Sequence, residues 1–458
     1  MEFKRYKLGT IAKTSSGATP TSTKKIYYEG GTIPWINSGE LSNPFIDKAN
    51  NYITKLGFDN SSTKMYAPNE TVLLAMYGAT AGKAALLQIE ACTNQAICAI
   101  IPDQSIVDPL FLKYKLDTMY NYLVGLSSGS ARDNLSQTGI SNLTIDIPSL
   151  AIQKRISKVL YSLDRKKALN RAINQNLEAL AKQLYDYWFV QFDFPNENGQ
   201  PYKSSGGVMG WSDELRREIP AGWNVVQLGS LIESNRGISY NTSTISGGGV
   251  PMLNLASFNV DGTYKHKGLK SYNGEYSADK VLKPFDLVMC NTQQTAIDEA
   301  KDIIGKAFLV PNIFNGDIVS SHHVTTLKCE SILKPYLAYL SNTRHFHKYA
   351  TGCCSGTNIM GLDFSGIERY RMELPPKPLI QRFYDIAIAV EEEKCKAILE
   401  NERLIMLRDE LLPLLMNGQV SLNSDLYDSM YIIIYDMDLY FGIYEGKHHY
   451  GGGHGNAA

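Results

Sequence analysis

Two stretches of the chain carry a long helical pattern of apolar and polar residues. In 148–190 and again in 376–423, apolar residues recur mostly every three or four positions. The apolar positions of the first stretch are Ile152, Ile156, Val159, Leu163, Leu169, Ile173, Leu177, Leu180, Leu184 and Trp188. Those of the second stretch are Ile380, Phe383, Ala387, Val390, Ile398, Ile405, Leu412 and Leu415. Such near-heptad stripes predict two long helices that need a partner along most of their length.

Each helical stretch follows a segment of short β-like runs separated by Gly, Asn and Pro. In residues 1–147 the pattern predicts strands at Thr71–Met76, Ala96–Ile101 and Leu143–Ile147, and a helix at Pro109–Tyr122. In residues 220–375 it predicts strands at Asp286–Cys290 and Val324–Leu327, and a helix at Pro335–Tyr349. Both segments are therefore predicted to be strand-rich α+β domains with long loops, where binding residues are concentrated.

The two halves of the chain repeat each other. The matching motifs are Leu8-Gly9 with Leu228-Gly229, Pro34-Trp35-Ile36-Asn37 with Pro251-Met252-Leu253-Asn254, and Gly82-Lys83-Ala84 with Gly305-Lys306-Ala307. This spacing is far longer than any solenoid repeat, which indicates a tandem duplication of a domain plus a helix. We expect an α+β fold in which the two helices pair antiparallel in a pseudo-two-fold repeat. The alternative is that each helix packs over its own domain.

The repeat sets the expected boundaries. We expect domain 1 at 1–147, a helical spacer at 148–190, a linker at 191–219, domain 2 at 220–375, a second spacer at 376–423 and a disordered tail at 424–458. The linker assignment rests on the Pro, Gly and Ser content of 191–219 and on its weak periodicity.

Composition restricts the function only loosely. The chain has 45 Lys and Arg against 46 Asp and Glu, so its net charge of -1 neither supports nor excludes a nucleic-acid partner. Its seven cysteines lack paired metal spacing, which is typical of reduced thiols in a cytoplasmic protein. We expect no membrane span, because no run of 18 apolar residues occurs.

Motifs for catalysis or metal binding are weak. The segment Tyr77–Ala84 resembles a phosphate-binding loop, but its glycines are one residue too close and Ala84 replaces the required Ser or Thr. The pairs His322-His323, His345-x-His347 and Cys353-Cys354 fit no common zinc spacing, so we expect no metal site. Because His322-His323 follows the same landmarks as Asn94-Gln95, we predict a shared recognition loop instead.

Four segments together carry a family resemblance. They are IQKRIS at 152–157, LEALAKQLYDYWFVQFDFP at 177–195, REIPAGWNVVQLGSL at 217–231 and LRDELLPLLMNGQVSL at 407–422. In this order the chain resembles, over roughly 1–423, the DNA-specificity subunit of type I restriction-modification systems. The resemblance implies two target-recognition domains, each reading one half of a bipartite double-stranded DNA site with a fixed non-specific spacer between the halves.

The same resemblance implies that this chain is not an enzyme and binds no cofactor. S-adenosylmethionine and ATP with Mg²⁺ would belong to partner chains: two methyltransferase subunits and a restriction and translocation subunit. The alternatives are the specificity portion of a self-contained restriction-methyltransferase and a free-standing two-site DNA-binding regulator.

Candidate DNA-binding residues lie in the polar loops of both domains, where such side chains read bases and phosphates. In domain 1 they are Thr19, Ser22, Lys24, Lys25, Asn37, Ser38, Tyr77, Thr80, Lys83, Asn94, Gln95, Arg132 and Asn134. In domain 2 they are Arg236, Tyr240, Asn254, Asn291, Gln293, Gln294, His322, His323, Thr357 and Asn358. Candidate partner-binding residues on the helices are Leu177, Leu184, Tyr185, Trp188, Phe189, Leu411, Leu412 and Leu415, because they are too apolar for a solvated helix.

Overall fold

A computed structural model of the chain describes residues 2–128, 135–245, 247–294, 301–356 and 359–420. The chain divides into two compact units. Unit 1 comprises Met1–Lys167 together with the chain from Arg403 onward, and unit 2 comprises Ala168–Glu402.

Unit 1 is built from short strands, short helices and part of one long helix. Its strands are β1 (Lys4–Lys7), β2 (Ala12–Ser16), β3 (Ile33–Ile36), β4 (Phe45–Ile46), β5 (Tyr52–Ile53), β6 (Val72–Ala75), β7 (Ala84–Leu87), β8 (Cys92–Thr93), β9 (Ile97–Pro102) and β10 (Thr144–Ile147). Its helices are α1 (Leu8–Ile11), α2 (Lys55–Asp59), α3 (Pro109–Thr118), α4 (Tyr120–Ser128), α5 (Gln137–Ser141) and α6 (Leu150–Tyr185), which continues into unit 2. Single 3-10 turns occupy Lys25–Tyr27 and Ser38–Ser42.

The core of unit 1 lies on both faces of a five-stranded sheet with the order β2-β9-β6-β7-β4. Because side chains alternate along a strand, Val72 and Leu74 of β6 face one hydrophobic cluster and Leu73 and Ala75 face another. The first cluster also contains Phe111 of α3. Beside this sheet lie the three-stranded sheet β5-β3-β8, in which β3 and β8 are parallel, and the pair β1-β10.

Unit 2 repeats these elements and adds others. Its strands are β11 (Met209–Ser212), β12 (Arg217–Pro220), β13 (Asn224–Gln227), β14 (Glu233–Arg236), β15 (Val250–Leu253), β16 (Lys270–Tyr272), β17 (Leu287–Cys290), β18 (Thr292–Gln294), β19 (Ala307–Leu309), β20 (Val319–Ser320), β21 (Val324–Lys328), β22 (Cys354–Ser355), β23 (Ile359–Leu362) and β24 (Arg371–Leu374). Its helices are α7 (Leu333–Asn342), α8 (Arg344–Gly352), α9 (Phe364–Glu368) and α10 (Lys377–Met416), which continues into unit 1. A π-helical turn at Asp186–Val190 follows α6, and 3-10 turns occupy Leu228–Ser230, Thr242–Thr244, Leu255–Ser257, His266–Gly268 and Ala278–Lys280.

The sheets of unit 2 correspond to those of unit 1. The sheet β14-β21-β17-β19 matches β2-β9-β6-β7, β16-β15-β20 matches β5-β3-β8, and β13-β24 matches β1-β10. In both three-stranded sheets one pair is parallel, here β15 with β20. The sheets β18-β23-β22 and β11-β12 have no counterpart among the described residues of unit 1. The predicted duplication is thus confirmed at the level of topology.

The repeated motifs take equivalent places. The backbone N–H of Leu8 donates to Leu143 at 2.8 Å, and that of Leu228 donates to Tyr370 at 2.8 Å. The Gly-Lys-Ala motif is a tight turn in both units, with φ of +80° at Gly82 and +72° at Gly305. A residue with a Cβ is strained at such φ. The backbone conformation of the turn therefore explains the glycine in this motif, without a role in phosphate binding.

The predicted strands and helices are confirmed within a few residues at most ends. The helix predicted over Pro109–Tyr122 divides at Met119 into α3 and α4, and its counterpart divides at Thr343 into α7 and α8. In the second case the Thr343 hydroxyl accepts a bond from Phe346 N–H at 3.2 Å and so caps a new helix.

The two long helices pair antiparallel, as predicted. In unit 2 the Asn170 amide donates to Asn401 Oδ1 at 3.3 Å, and the Asn174 amide donates to the Lys394 carbonyl at 3.3 Å. The residue number of the α10 partner falls as the residue number on α6 rises, so the two helices run antiparallel. In unit 1 Leu163 of α6 packs with Leu404 of α10.

The segment 191–219 differs from the linker that its composition suggested. Phe192 is buried with Trp223, their rings 5.5 Å apart, and Phe194 stacks on the Tyr202 ring at 4.6 Å. The segment then forms most of the hairpin β11-β12. Its aromatic residues are irregularly spaced, so periodicity could not reveal that they pack into the core. The expected tail, 424–458, lies outside the described residues.

Candidate nucleic-acid interface

In each unit a polar turn precedes the strand next to the edge of the main sheet, which is β9 in unit 1 and β21 in unit 2. This turn lies against the chain that follows the edge strand, β2 or β14. The contact requires glycine in the departing chain. A Cβ on Gly17 would lie 2.0 Å from the Thr93 carbonyl oxygen, and one on Gly237 would lie 2.3 Å from the Ser321 carbonyl oxygen. In both units the glycine therefore allows the chain after the edge strand to approach the backbone of the turn closely, at the same place in the repeat.

Backbone bonds fix which residues correspond in these turns. Asn94 N–H donates to Ile36, and Ser321 N–H donates to Leu253. In the same way Met76 N–H donates to Ala96, and Asn291 N–H donates to His323. Gln95 is therefore the equivalent of His322, and Ala96 the equivalent of His323. The predicted equivalence of Asn94-Gln95 with His322-His323 was wrong by one residue, because sequence alone does not set strand register.

The turn of unit 1 is neutral and hydrogen-bonded. The Thr19 hydroxyl donates to Gln95 Oε1, and both side chains are exposed. The Asn94 amide donates to Asn37 Oδ1 at 3.1 Å, while Asn37 N–H donates to Glu40 Oε1 at 2.9 Å. Since Thr19 occupies the Gln95 oxygen, the amide nitrogen of Gln95 is the group free to donate outward.

The turn of unit 2 is a histidine cluster, which we define as Arg236, Tyr240, Lys270, His322 and His323. The two imidazole centroids lie 3.8 Å apart, and the Tyr240 ring lies 5.5 Å from that of His322. Lys270 Nζ donates to the Tyr240 hydroxyl at 2.8 Å and lies 4.6 Å from the centre of its ring. Arg236 Nε donates to the His322 carbonyl at 3.0 Å, and the Arg236 side chain is otherwise exposed.

Both imidazoles of the cluster are held neutral. Burial lowers the pKa of His323 to about 4, and the nearby His322, Lys270 and Arg236 add to the effect. Burial, and then the Arg236 charge, also lowers the pKa of His322. His323 Nδ1 and the Thr292 hydroxyl share a 2.6 Å hydrogen bond. At neutral pH the cluster therefore has two fixed cations beside two uncharged rings.

Four candidate residues are buried structural groups and cannot serve as exposed DNA contacts. Thr80 donates to the Ser38 carbonyl at 2.8 Å and fastens the 76–83 loop to the turn at 38–42. Asn254 caps a 3-10 turn and donates to Gly268 at 2.6 Å. Asn291 donates to Thr325 Oγ1 at 2.7 Å, and Gln293 accepts from Ile303 N–H at 2.8 Å. Amide and hydroxyl side chains suit caps as well as base contacts, so composition did not separate the two roles.

The remaining candidate DNA-binding residues differ in how far their side chains are exposed to solvent. In unit 1 the exposed ones are Ser22, Lys24, Lys25 and Tyr77, whereas Ser38 and Lys83 are partly buried. Lys24 Nζ donates to the Tyr27 hydroxyl at 3.2 Å. The candidates Arg132, Asn134, Thr357 and Asn358 lie outside the described residues, and only the backbone of Gln294 is described, in β18.

Sequence reasoning missed Lys270, a member of the histidine cluster, and Thr292, which bonds to it. Lys270 belongs to a basic run, Lys265-His266-Lys267-Gly268-Leu269-Lys270, which could have served as a signal. Thr292 lies in the CNTQQT segment, but only its bond to His323 distinguishes it from its neighbours.

The aromatic residues expected to bind a partner are buried inside unit 2, which corrects that prediction. Trp188 is 5% exposed, and Tyr185 and Phe189 are buried with it in a core that contains Tyr336 and Phe383. Leu184 packs on the same core, and Leu177 is half-buried. In unit 1 Leu415 is fully buried, and Leu411 and Leu412 pack against the core. Intramolecular packing thus accounts for most of the apolar character that had suggested a partner.

The described residues contain neither a metal-binding cluster nor a membrane-spanning helix. Among the residues that the structure describes, no three or more His, Cys, Asp or Glu side chains are grouped to hold a metal ion. Within the same ranges, none of the helices combines the length and apolar character that a membrane crossing requires.

The chain is similar to known proteins of one family. The type I restriction modification DNA specificity domain matches residues 1–179. The chain is also 27% identical over 426 residues to the type I restriction enzyme MjaIX specificity subunit of Methanocaldococcus jannaschii, covering 90% of this chain and 92% of that one. Over most of its length the chain is therefore similar to type I restriction-modification specificity subunits.

Two other specificity subunits are similar to the chain, one in sequence and one in fold. The HindI specificity subunit of Haemophilus influenzae is 25% identical over 376 residues, covering 70% of this chain and 79% of its own. The crystal structure of a type I restriction-modification S subunit from M. genitalium has the same fold, with a TM-score of 0.58 at 13% identity over 91% of this chain and 96% of that chain. The fold of the chain, mixed helix and strand with two long helices, is therefore shared with a solved specificity subunit.

Proposed function

We propose that the chain is the non-catalytic specificity subunit of a type I restriction-modification complex. The domain in unit 1 reads one half of a bipartite double-stranded DNA site, and the domain in unit 2 reads the other. The observation that carries this proposal is the similarity to a named specificity subunit over nine-tenths of both chains. The structural repeat supports it, because two copies of one scaffold with different turn residues suit two different half-sites.

Recognition is assigned to the exposed polar groups of the two turns. In unit 1 these are Thr19 and Gln95, with Lys24, Lys25 and Tyr77 on neighbouring loops. In unit 2 they are the members of the histidine cluster. Arginine, lysine and hydroxyl groups position the DNA through phosphates, whereas amides such as that of Gln95 are able to contact base edges.

Methyl transfer from S-adenosylmethionine and ATP-driven, Mg²⁺-dependent cleavage are assigned to partner subunits. For docking, we favour the apolar side chains that stay exposed on the long helices. Leu180 is 56% exposed in unit 2, and Met406 is 64% exposed in unit 1. These replace the buried aromatic residues as the candidate contacts with methyltransferase subunits.

The proposal is tested by methylome sequencing of a host that expresses this chain with its methyltransferase partner. We expect one bipartite methylated motif. Gln95→Ala should change or relax letters only in the half read by unit 1, with a cost of about 1–3 kcal/mol for the lost base contact. Gln381→Ala, on α10, is the control and should leave both halves unchanged.

Two outcomes would contradict the proposal. A Gln95 substitution that relaxes both halves equally would make that residue a phosphate or scaffold contact. Methylation by the purified chain without a partner would show that the chain is itself a methyltransferase.

A further inference from the structure

The histidine cluster differs from its unit 1 counterpart in one chemical respect: it contains two side chains that are able to take up a proton. The equivalent position to His322 is Gln95, and that of His323 is Ala96, neither of which titrates. Of the two equivalent turns, the one before β21 in unit 2 therefore carries titratable rings, 3.8 Å apart, and the one before β9 in unit 1 does not.

The surroundings of the two rings are suited to an anion. The charged or titratable groups that face them are Arg236 from β14, Tyr240 from the loop that follows, and Lys270 from β16. Arg236 is exposed and bonds only a backbone carbonyl within the cluster. Two fixed cations beside polar rings make a local positive site on a chain whose net charge is -1.

Buried polar groups at the same place lack hydrogen-bond partners within the described part of the chain. They are Asn291 Oδ1, Ser321 Oγ and His322 Nδ1. The Asn291 amide nitrogen donates to the His322 carbonyl at 3.1 Å, so this residue is in contact with the cluster. Unsatisfied buried groups cost free energy and are tolerated mainly where a site has a task.

We propose that the histidine cluster is a proton-linked phosphate contact. When unit 2 binds DNA, a backbone phosphate lies against Arg236, Lys270 and the imidazole pair, and the pair takes up a proton from solvent. This inference rests on the proposed function and adds that DNA recognition by unit 2, but not by unit 1, depends on pH through these rings.

The direction of the effect follows from the charges. In the free subunit burial and positive neighbours lower the pKa of both rings, to about 4 for His323. A phosphate favours the imidazolium, so the pKa rises on binding and the complex holds more protons than the free subunit. DNA affinity therefore increases as pH falls, over the interval below the pKa of the bound state and above that of the free state. Each proton taken up changes the affinity by up to about tenfold per pH unit.

The test uses the full chain in complex with its methyltransferase partner and a duplex that carries the methylome-defined site. Dissociation constants are measured from pH 8 to pH 6, and proton uptake is measured by calorimetry in buffers of different ionisation enthalpy. We expect the wild-type complex to bind about three- to tenfold more tightly at the lower pH, with close to one proton taken up. His322→Gln with His323→Gln should abolish most of both effects.

Two controls separate the alternatives. His345→Gln removes an exposed histidine of α8 and should leave the pH dependence intact. The single variant His322→Gln places in unit 2 the residue that unit 1 has at this position, so it remains informative if the double variant fails to fold.

Three results would overturn the inference while the proposed function stands. They are specific binding with no proton uptake by the wild type, an unchanged pH dependence in the histidine variants, and altered half-site letters with unchanged proton uptake, which would make the rings base contacts. If no bipartite methylated motif occurs at any pH, the proposed function fails instead.

Discussion

At the scale of single residues, Gln153 shows what the Ile-Gln-Lys-Arg motif does. Its side chain is fully buried and makes three bonds: the amide donates to Ile106 at 3.0 Å and to Pro148 at 2.8 Å, and Oε1 accepts from Asp108 N–H at 2.9 Å. It joins the start of α6 to the cap of α3. Its repeat equivalent, Gln381, instead bonds Asp385 on the helix surface at 2.8 Å.

Gln153→Ala should therefore destabilise the chain, whereas Gln381→Ala should not. The first change leaves buried backbone groups without partners, at a cost of about 1–3 kcal/mol. The second removes an exposed bond within one helix and should stay within about 0.5 kcal/mol. Denaturant unfolding of both variants gives the comparison. Equal losses would mean that burial of the amide does not decide the effect.

Residue-level roles were the least predictable from sequence. The sequence marked Asn37, Asn254 and Asn291 equally as loop amides, yet Asn254 and Asn291 are buried and hold backbone segments together. Burial depends on which strands meet, and strand register is set by long-range pairing that no local pattern reveals. The same uncertainty shifted the equivalence of the two turns by one residue.

At the scale of elements, the pairing of α6 with α10 in unit 2 includes a buried ionic group. Lys394 donates to Glu178 on α6 and to Glu391 at 2.8 Å on its own helix. Burial raises the pKa of Glu391, and the two carboxylates raise the pKa of Lys394 above its usual value despite burial. Such a group favours one helix register, because a slip leaves its charges unpaired.

Lys394→Met should destabilise unit 2 by about 3–5 kcal/mol, because it leaves two carboxylates together without their cation. Lys396→Met is the control, since its bond to Glu393 at 2.6 Å lies on the surface and should be worth less than about 1 kcal/mol. Thermal unfolding measures both. If the Lys394 variant were as stable as its control, the ionic group would not hold the helices together.

Elements with a clear period were predictable, and those without one were not. The long helices follow from apolar residues at every third or fourth position, and the central strands from short apolar runs. The region 191–219 has neither, and its order comes from Phe192 and Phe194 packing on residues distant in sequence, such as Trp223.

At the scale of the whole molecule, the core of unit 1 is completed by the C-terminal turns of α10. Leu415 and Met416 are fully buried in its core with residues such as Ile156 and Leu160, and a Cβ on Gly418 would meet the Phe3 ring. The last turn of α10 is thus part of the first domain.

Truncation should reveal this dependence. Ending the chain after Asn423 should leave unit 1 intact, because the buried residues remain. Ending it after Glu410 removes two fully buried side chains and should cost roughly 3–6 kcal/mol. Hydrogen exchange in β6 and β9 is the measurement. Equal protection in the two truncated chains would show that α10 is dispensable to unit 1.

Insertion into both long helices tests whether they set the spacer between half-sites. Each helix runs through the boundary between units, at Lys167 in α6 and Glu402 in α10. Seven residues added to both at these points keep the heptad pairing and lengthen each helix by roughly 10 Å, or about three base pairs. We expect unchanged half-site letters, lower affinity and a longer preferred gap. Methylome mapping that shows altered letters with the old gap would exclude the helices as the ruler.

The discontinuity of unit 1 also has a consequence for synthesis on the ribosome. Unit 2 is one uninterrupted stretch, Ala168–Glu402, whereas unit 1 needs residues that are translated more than 230 positions after α6 begins. At about 5–20 residues per second, the first domain to emerge waits roughly 10–50 seconds for its last helical turn. The usual order, in which the N-terminal domain matures first, is therefore reversed. A chain that ends before Leu415 therefore has every residue of unit 2 but an incomplete core in unit 1, and we expect proteases to cut its first domain before its second.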